Sequence, residues 1–419
     1  MLTPTVSTPE GTPSGKDDCD TDSVDNPRLM PAVAPYDDIT VVELGETIAP
    51  AFVGKQLADL GARVIRVDDP SGSGLYGSPP IVGLDAQGRE VGAAYLHLCR
   101  NKQSVAIDLE SENGRRALRQ LFGRAHVIID GLGVDRLAEL GFAHDALLER
   151  SELIITSITP FGLTGPYRDL AASDLVVMAL GGLLNLVGAP EREPLSLAGY
   201  QAQYATGVCA FTGTAAALQY RDRCGRGQLV DVSALESIAF VEWKSASNYE
   251  ASGSVRRRVG DHSHNLVLPT RDGWFGLLYQ DSNWPQLREL TGVDALDDER
   301  FSTRPGRVAH AAELRALLSD WFAQRTKHEI YHAAQALKVP AGMVATVGDL
   351  LESEQYATRE FWQTVDHPAT GPLRYAGAGY RISGYVAPTR RAPVLGEHGE
   401  DAFPGGDPVG VSRTSVRSL

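Results

Sequence analysis

Cysteine, histidine and carboxylate side chains carry most of the chemistry open to a soluble protein, and here the first two are sparse. Cys19, Cys99, Cys209 and Cys224 stand far apart, with no CxxC pair and no histidine at metal-ligand spacing. They read as reduced thiols rather than disulfides or ligands. His262 and His264 form an HxH pair behind the run Arg256, Arg257, Arg258. A metal there would need a third ligand, and none lies nearby in the sequence, so no metal centre is expected. His126 and His144 are expected at the surface or at helix ends. Acidic residues outnumber basic ones, 53 against 39, and the net charge of −14 disfavours a nucleic-acid partner.

The elements that must position any site follow from periodicity. The chain of 419 residues, 43% hydrophobic and 22% charged, is long enough for a large core and more than one domain. No apolar run approaches the roughly 18 residues that span a bilayer, and no basic segment leads into an apolar stretch at the N-terminus. A cytoplasmic location without membrane contact is therefore expected. Residues 1–35 are rich in Thr, Ser, Pro, Gly and Asp with few aliphatic side chains. They cannot offset ordering entropy by burial, which implies a disordered acidic tail. From Ile39 onward strands alternate with helices: ITVVEL, then a helix presenting Val53, Leu57 and Leu60, then a strand from Arg63 to Val67. Further strands are expected near Ser104 to Leu109, Val127 to Asp130 and Leu153 to Ile158. That order implies an α/β fold with a parallel, doubly wound sheet. A run of Ala, Gly and Thr from Ala202 to Tyr220 reads as a tightly packed helix. The expected divisions are a large domain of residues 36–250 plus 367–400, a smaller α+β domain of 260–366, and a loose C-terminal tail of 401–419.

Six segments in order, VVELGETIAPAFVGKQLADLGARVIRVDDP, NKQSVAIDLES, ITPFGLTGPY, GRGQLVDVS, TRDGWF and RRAPVLGEH, resemble the class III CoA-transferases, a family that includes formyl-CoA, carnitine and benzylsuccinate CoA-transferases and the α-methylacyl-CoA racemases. The resemblance implies a Rossmann-like large domain formed by both ends of the chain, a small domain between them, and two ring-shaped subunits threaded through each other. Family transferases use an Asp nucleophile that passes CoA between acids through an anhydride and an aspartyl thioester. Aligned without a gap, that position is Gln203. An amide has no anionic oxygen and cannot form either intermediate. Racemase members add a His before an Asp upstream; this chain has Ala172, Ser173 and Asp174 there, so the racemase reading is the weaker one.

The resemblance also implies a CoA site. Ala49 marks its backbone turn, and Asn101 and Lys102 match its Asn-Lys dipeptide. Positions that are basic in family members are Asp69, Glu110 and Glu139 here. Each acid facing a phosphate would repel it by on the order of 1 kcal/mol or more. The glycine-rich loop of formyl-CoA transferases is absent after Arg258, which argues against oxalate and formate as substrates.

Three functions fit. The first is the non-catalytic subunit of a heteromeric class III CoA-transferase, in which a related partner chain carries the catalytic Asp and holds the CoA or acyl-CoA, and the substrates are a small carboxylic acid and its thioester. No covalently bound cofactor is expected. The second is a self-sufficient enzyme acting through another carboxylate, Glu46 at the strand-to-helix turn or Asp174. The third is a regulatory protein that binds an acyl ligand without reaction.

Overall fold

The computed structural model describes residues 33–255, 258, 264–399 and 401–403. Residues 1–32 and 404–419, which hold most of both expected tails, lie outside the described residues, as do His262 and Cys19. Six parallel strands form the central sheet: β1 (Thr40–Leu44), β2 (Arg63–Asp68), β3 (Gln103–Ala106), β4 (Val127–Asp130), β5 (Ile154–Thr159) and β6 (Leu229–Ser233). Their order is β3-β2-β1-β4-β5-β6. Val42 pairs with Ile65 on one side and Ile128 on the other. β4 and β5 are buried at every residue, as parallel strands covered on both faces must be.

Two layers of helix provide that cover. On one face α1 (Ile48–Asp59) buries Val53 and Leu57 against Val41, Val127 and Ile129. On the other, α2 (Glu112–Phe122) buries Leu118, Leu121 and Phe122 against Val42 and Ile128. The short helices α3 (Arg136–Glu139) and α4 (His144–Leu147) follow β4, and α5 (Asp174–Leu180) follows β5. The long α6 (Gln201–Cys224) then packs on α1. Its small side chains permit the approach: a Cβ on Gly207 would stand 2.9 Å from Phe52 and 3.2 Å from the Ala49 carbonyl oxygen. α7 (Ala234–Val241) and α8 (Trp243–Ser252) complete this half.

The second domain is an antiparallel sheet of β7 (Asn265–Thr270), β8 (Gly273–Leu278) and β9 (Ala341–Met343), with β8 in the middle. Helices Trp284–Thr291, Ala311–Ala323 and Lys327–Ala336 close over it around Phe275, Leu287, Phe322 and Ile330. The hairpin of β10 (Trp362–His367) and β11 (Gly371–Ala376) corrects the boundary expected at residue 367, which would divide it. The hairpin packs Val365, Leu373 and Tyr375 against Tyr76, Tyr95 and Leu96 of the large domain. Arg100 reaches the same hairpin, donating to Gln363 at 2.6 Å and lying over the Tyr375 ring. Beyond it the chain returns to the sheet edge, where the Gly396 N–H donates to Ser104 Oγ at 2.9 Å and Arg391 pairs with Glu397.

The loose tail expected from residue 401 is corrected at its start. Ala402 and Phe403 are buried beside Phe122 and Phe142, and Arg63 donates to the Asp401 carbonyl. Apolar side chains in a short terminal segment gave no periodic signal, and only the contact with α2 reveals their place. Phe403→Ala should therefore cost about 3 kcal/mol, in the usual range for a buried Phe. Urea unfolding would read this as a lower midpoint at unchanged slope.

Candidate functional site

In an open α/β sheet the ligand crevice lies outside the carboxyl ends of the strands where strand order reverses, here between β1 and β4. A cleft of about 430 Å3 opens at that place, lined by Thr47 after β1, Gly131 and Gly133 after β4, Thr159 at the end of β5, and Gln203 of α6. Gln203 Oε1 accepts from the Ala49 N–H in the first turn of α1 at 3.2 Å. Its own backbone N–H donates to Asp174 Oδ1 at 3.0 Å. The fold thus gathers Gln203, Ala49 and Asp174. Asp174, in the first turn of α5, uses its carboxylate to satisfy a donor at the start of α6, a position that otherwise lacks a side-chain cap.

Glu46 sits in the turn between β1 and α1, where Oε2 accepts from the Leu75 N–H at 3.0 Å and lies 3.8 Å from Arg66. Burial raises its pKa, and Arg66 opposes that rise. Beneath the turn runs a buried ionic network. Arg66 contacts Glu43 at 2.7 Å and Asp68 at 2.6 Å and donates to the Gly45 carbonyl at 3.0 Å. Lys102 Nζ donates to Glu43 and to the Ala51 carbonyl, each at 2.7 Å. Gly54 makes room for this, since a Cβ there would come within 1.7 Å of Glu43 Oε2.

Lys102, expected in the CoA site, is wholly buried and paired within this network. Asn101 is likewise engaged, donating to Asp59 at 2.6 Å and accepting from the Arg390 N–H at 2.7 Å. Asp69 accepts from the Ser71 N–H at 2.8 Å in a local turn. Glu110 and Glu139 are brought together, yet as the two partners of Arg136, with the Glu139 contact at 3.0 Å. One guanidinium offsets half their charge, and such exposed pairs are each worth roughly 0–1 kcal/mol.

The end of β4 and the loop after it carry a further set of polar contacts. Asp130 ends β4 with both oxygens used: one accepts from the Leu132 N–H at 3.1 Å, the other meets His144 Nε2 at 2.8 Å. His144 does begin a helix, as expected, but its ring is mostly buried against this carboxylate. At the far end of the loop, Asp135 adopts φ 60° and is held by Arg168 at 2.8 Å. An Asp closing a central strand and the Gly131-x-Gly133 spacing were the available signals. His126 accepts from the Thr40 N–H at 2.9 Å, and burial lowers its pKa. Burial pushes the Cys99 thiol up to about 12. Among the described residues, no group of three or more His, Cys, Asp or Glu could hold a metal ion. Nor is any described helix long and apolar enough to cross a membrane.

Residues 36–399 match the family model "CoA-transferase family III". The chain is 33% identical over 388 residues to the succinate–glutarate CoA-transferase of Agrobacterium fabrum, covering 89% of this chain and 95% of that protein. It is 32% identical over 375 residues to the succinyl-CoA:(R)-benzylsuccinate CoA-transferase subunit BbsE of Thauera aromatica, covering 85% and 91%. Among solved structures, a CAIB/BAIF family protein from Brucella suis superposes with a TM-score of 0.80 at 32% identity, covering 87% of this chain and 97% of that one.

Proposed function

The chain belongs to CoA-transferase family III, and we propose that it is the non-catalytic subunit of a heteromeric member, with the nucleophilic Asp supplied by a related partner chain. One observation carries this reading: Gln203, which the family resemblance aligns with the nucleophile, lines the cleft with its carbonyl oxygen bound to the Ala49 N–H. A carboxamide at that point can position and bind, and cannot attack a thioester. The relation to a named transferase subunit, BbsE, supports the same reading. The substrates would be a small carboxylic acid and its CoA thioester, with CoA held by the partner. Glu46 and Asp174 have less to recommend them as replacement nucleophiles, since Glu46 is outside the cleft lining and Asp174 is bonded to α6.

Assembly with a partner, in the interlocked form the family resemblance implies, would explain an exposed apolar ridge. Phe240 and Trp243, at the junction of α7 and α8, are 73% and 57% exposed in the single chain, and Tyr249 on α8 is 54% exposed. Large aromatic side chains left open in this way mark interaction surfaces. The double variant Phe240→Asp, Trp243→Asp should abolish co-purification of a partner while the fold, read by circular dichroism, persists.

The direct test is the native mass of the complex captured through a tag on this chain in its source cells, with subunits identified by peptide mass. An equal amount of a second family III chain carrying the Asp is the expected result. A homodimer alone would overturn the subunit reading.

A further inference from the structure

We propose that the pocket beside the C-terminal end of α1, between Arg359 and Arg381, is the docking site of this chain's own acidic segment, residues 17–32. The proposal goes beyond the subunit reading and does not depend on it, because the pocket lies away from the cleft. α1 begins at the cleft beside Thr47 and runs for about 18 Å, twelve residues at about 1.5 Å each, before it ends at Asp59. There Tyr385 Oη donates to the Asp59 carbonyl at 2.7 Å. The pocket, of about 320 Å3, forms where residues 377–387 leave β11 and fold over residues 359–361 ahead of β10. Arg381 donates to the Arg359 carbonyl across it. Tyr380, Ile382 and Val386 line it and stand open to solvent, Val386 at 88%.

The described chain begins at the same place. Ala34 sits against Gly61, its Cβ 2.3 Å from where a Cβ on that glycine would stand, and the Tyr36 N–H donates to the Leu60 carbonyl at 3.1 Å. Burial pushes the Tyr380 hydroxyl up to about 12, and Asp59, Tyr385 and Tyr36 lie close enough to add to that rise. The residues before Val33 therefore start next to the pocket, and their order suits it. Asp17, Asp18, Asp20, Asp22 and Asp25 come first, then Leu29 and Met30. At about 3.3 Å per residue, Met30 reaches about 10 Å from Val33 and Asp25 about 26 Å. The apolar pair thus falls to the apolar pocket and the acids to the arginines around it. Five Asp against Arg28 give residues 17–32 a net charge of −4. On the receiving side, Arg359 and Arg390 are exposed without a carboxylate partner among the described residues, and Arg381 has Glu360 at 4.0 Å. Opposite charge on the two surfaces and a short tether both favour docking within one chain.

Cys19 lies inside the acidic run, so the chain carries its own probe. In the variant Val386→Cys, studied as the full chain with any chain that accompanies it, mild oxidation should join Cys19 to the introduced thiol within one chain, as identified by peptide mass. Adding Arg359→Glu and Arg381→Glu should slow that disulfide by about tenfold, since several exposed ion pairs are lost together. Salt at about 0.5 M, where the Debye length falls to about 4 Å, should slow it in the Val386→Cys chain as well. A rate indifferent to both changes marks a tethered end that meets the pocket by collision, and overturns the proposal. So does the absence of the disulfide, or a disulfide that joins only two separate chains. Should the charge-reversed chain fail to fold, the salt series decides. The subunit reading is tested by native mass, which does not enter this result, so each can fail alone.

Discussion

In the heteromer proposed above, replacing the nucleophilic Asp of the second chain by Ala should lower turnover of the complex by more than about ten-thousandfold, the scale seen when a covalent nucleophile is removed. Gln203→Ala in this chain should lower it by about tenfold or less. The asymmetry follows from what each group can do. Loss of the Asp removes the anhydride and aspartyl-thioester route altogether. Loss of the Gln203 side chain removes one neutral hydrogen bond to Ala49, worth about 0.5–1.5 kcal/mol. Steady-state kinetics of the two variant complexes would check this, with the Gln203 effect expected in KM. Equal losses in both variants would show that this cleft is itself a reaction centre.

Lys102→Ala should destabilise the protein by about 3–5 kcal/mol, the cost of leaving one member of a buried ion pair without its partner. Glu43 and Arg66 are both fully buried, and Glu43 divides its two oxygens between Arg66 and Lys102. Removal of the lysine leaves one of those oxygens without a cation in a site that water does not reach, and frees the Ala51 carbonyl that Lys102 also holds. A fall in melting temperature on the order of 10 °C is expected. The double variant Glu43→Gln, Lys102→Met should recover part of it, because an uncharged pair leaves no ion without a partner. A Lys102→Ala protein with wild-type stability would show that the network is not closed in solution.

Much of the large domain was legible in the sequence because its signals are local. ITVVEL, the Val53 to Leu57 helix face and the Ala-Gly-Thr run of α6 each carry their own periodicity or composition. Parallel strands alternating with helices then leave few topologies open. The misplacements share one cause, long-range pairing. β10 and β11 read as the end of one domain and the start of another until their register joined them. Arg136 had no visible role until Glu110 came within reach of it, 26 residues away. His144 and Asp130, 14 residues apart, meet only because the end of β4 and the start of α4 converge.

The sequence determined that an amide stands at position 203, where the family resemblance expects the nucleophile, and an amide lacks an anionic oxygen in any fold. It also pointed to a strand buried on both faces at β4, whose run Val127, Ile128, Ile129 leaves no polar side for water. Only the tertiary structure decided what the amide does. Ala49 lies 154 residues from Gln203, and no local pattern could bring a helix N–H to that oxygen. That contact is set by how α6 seats on the first turn of α1.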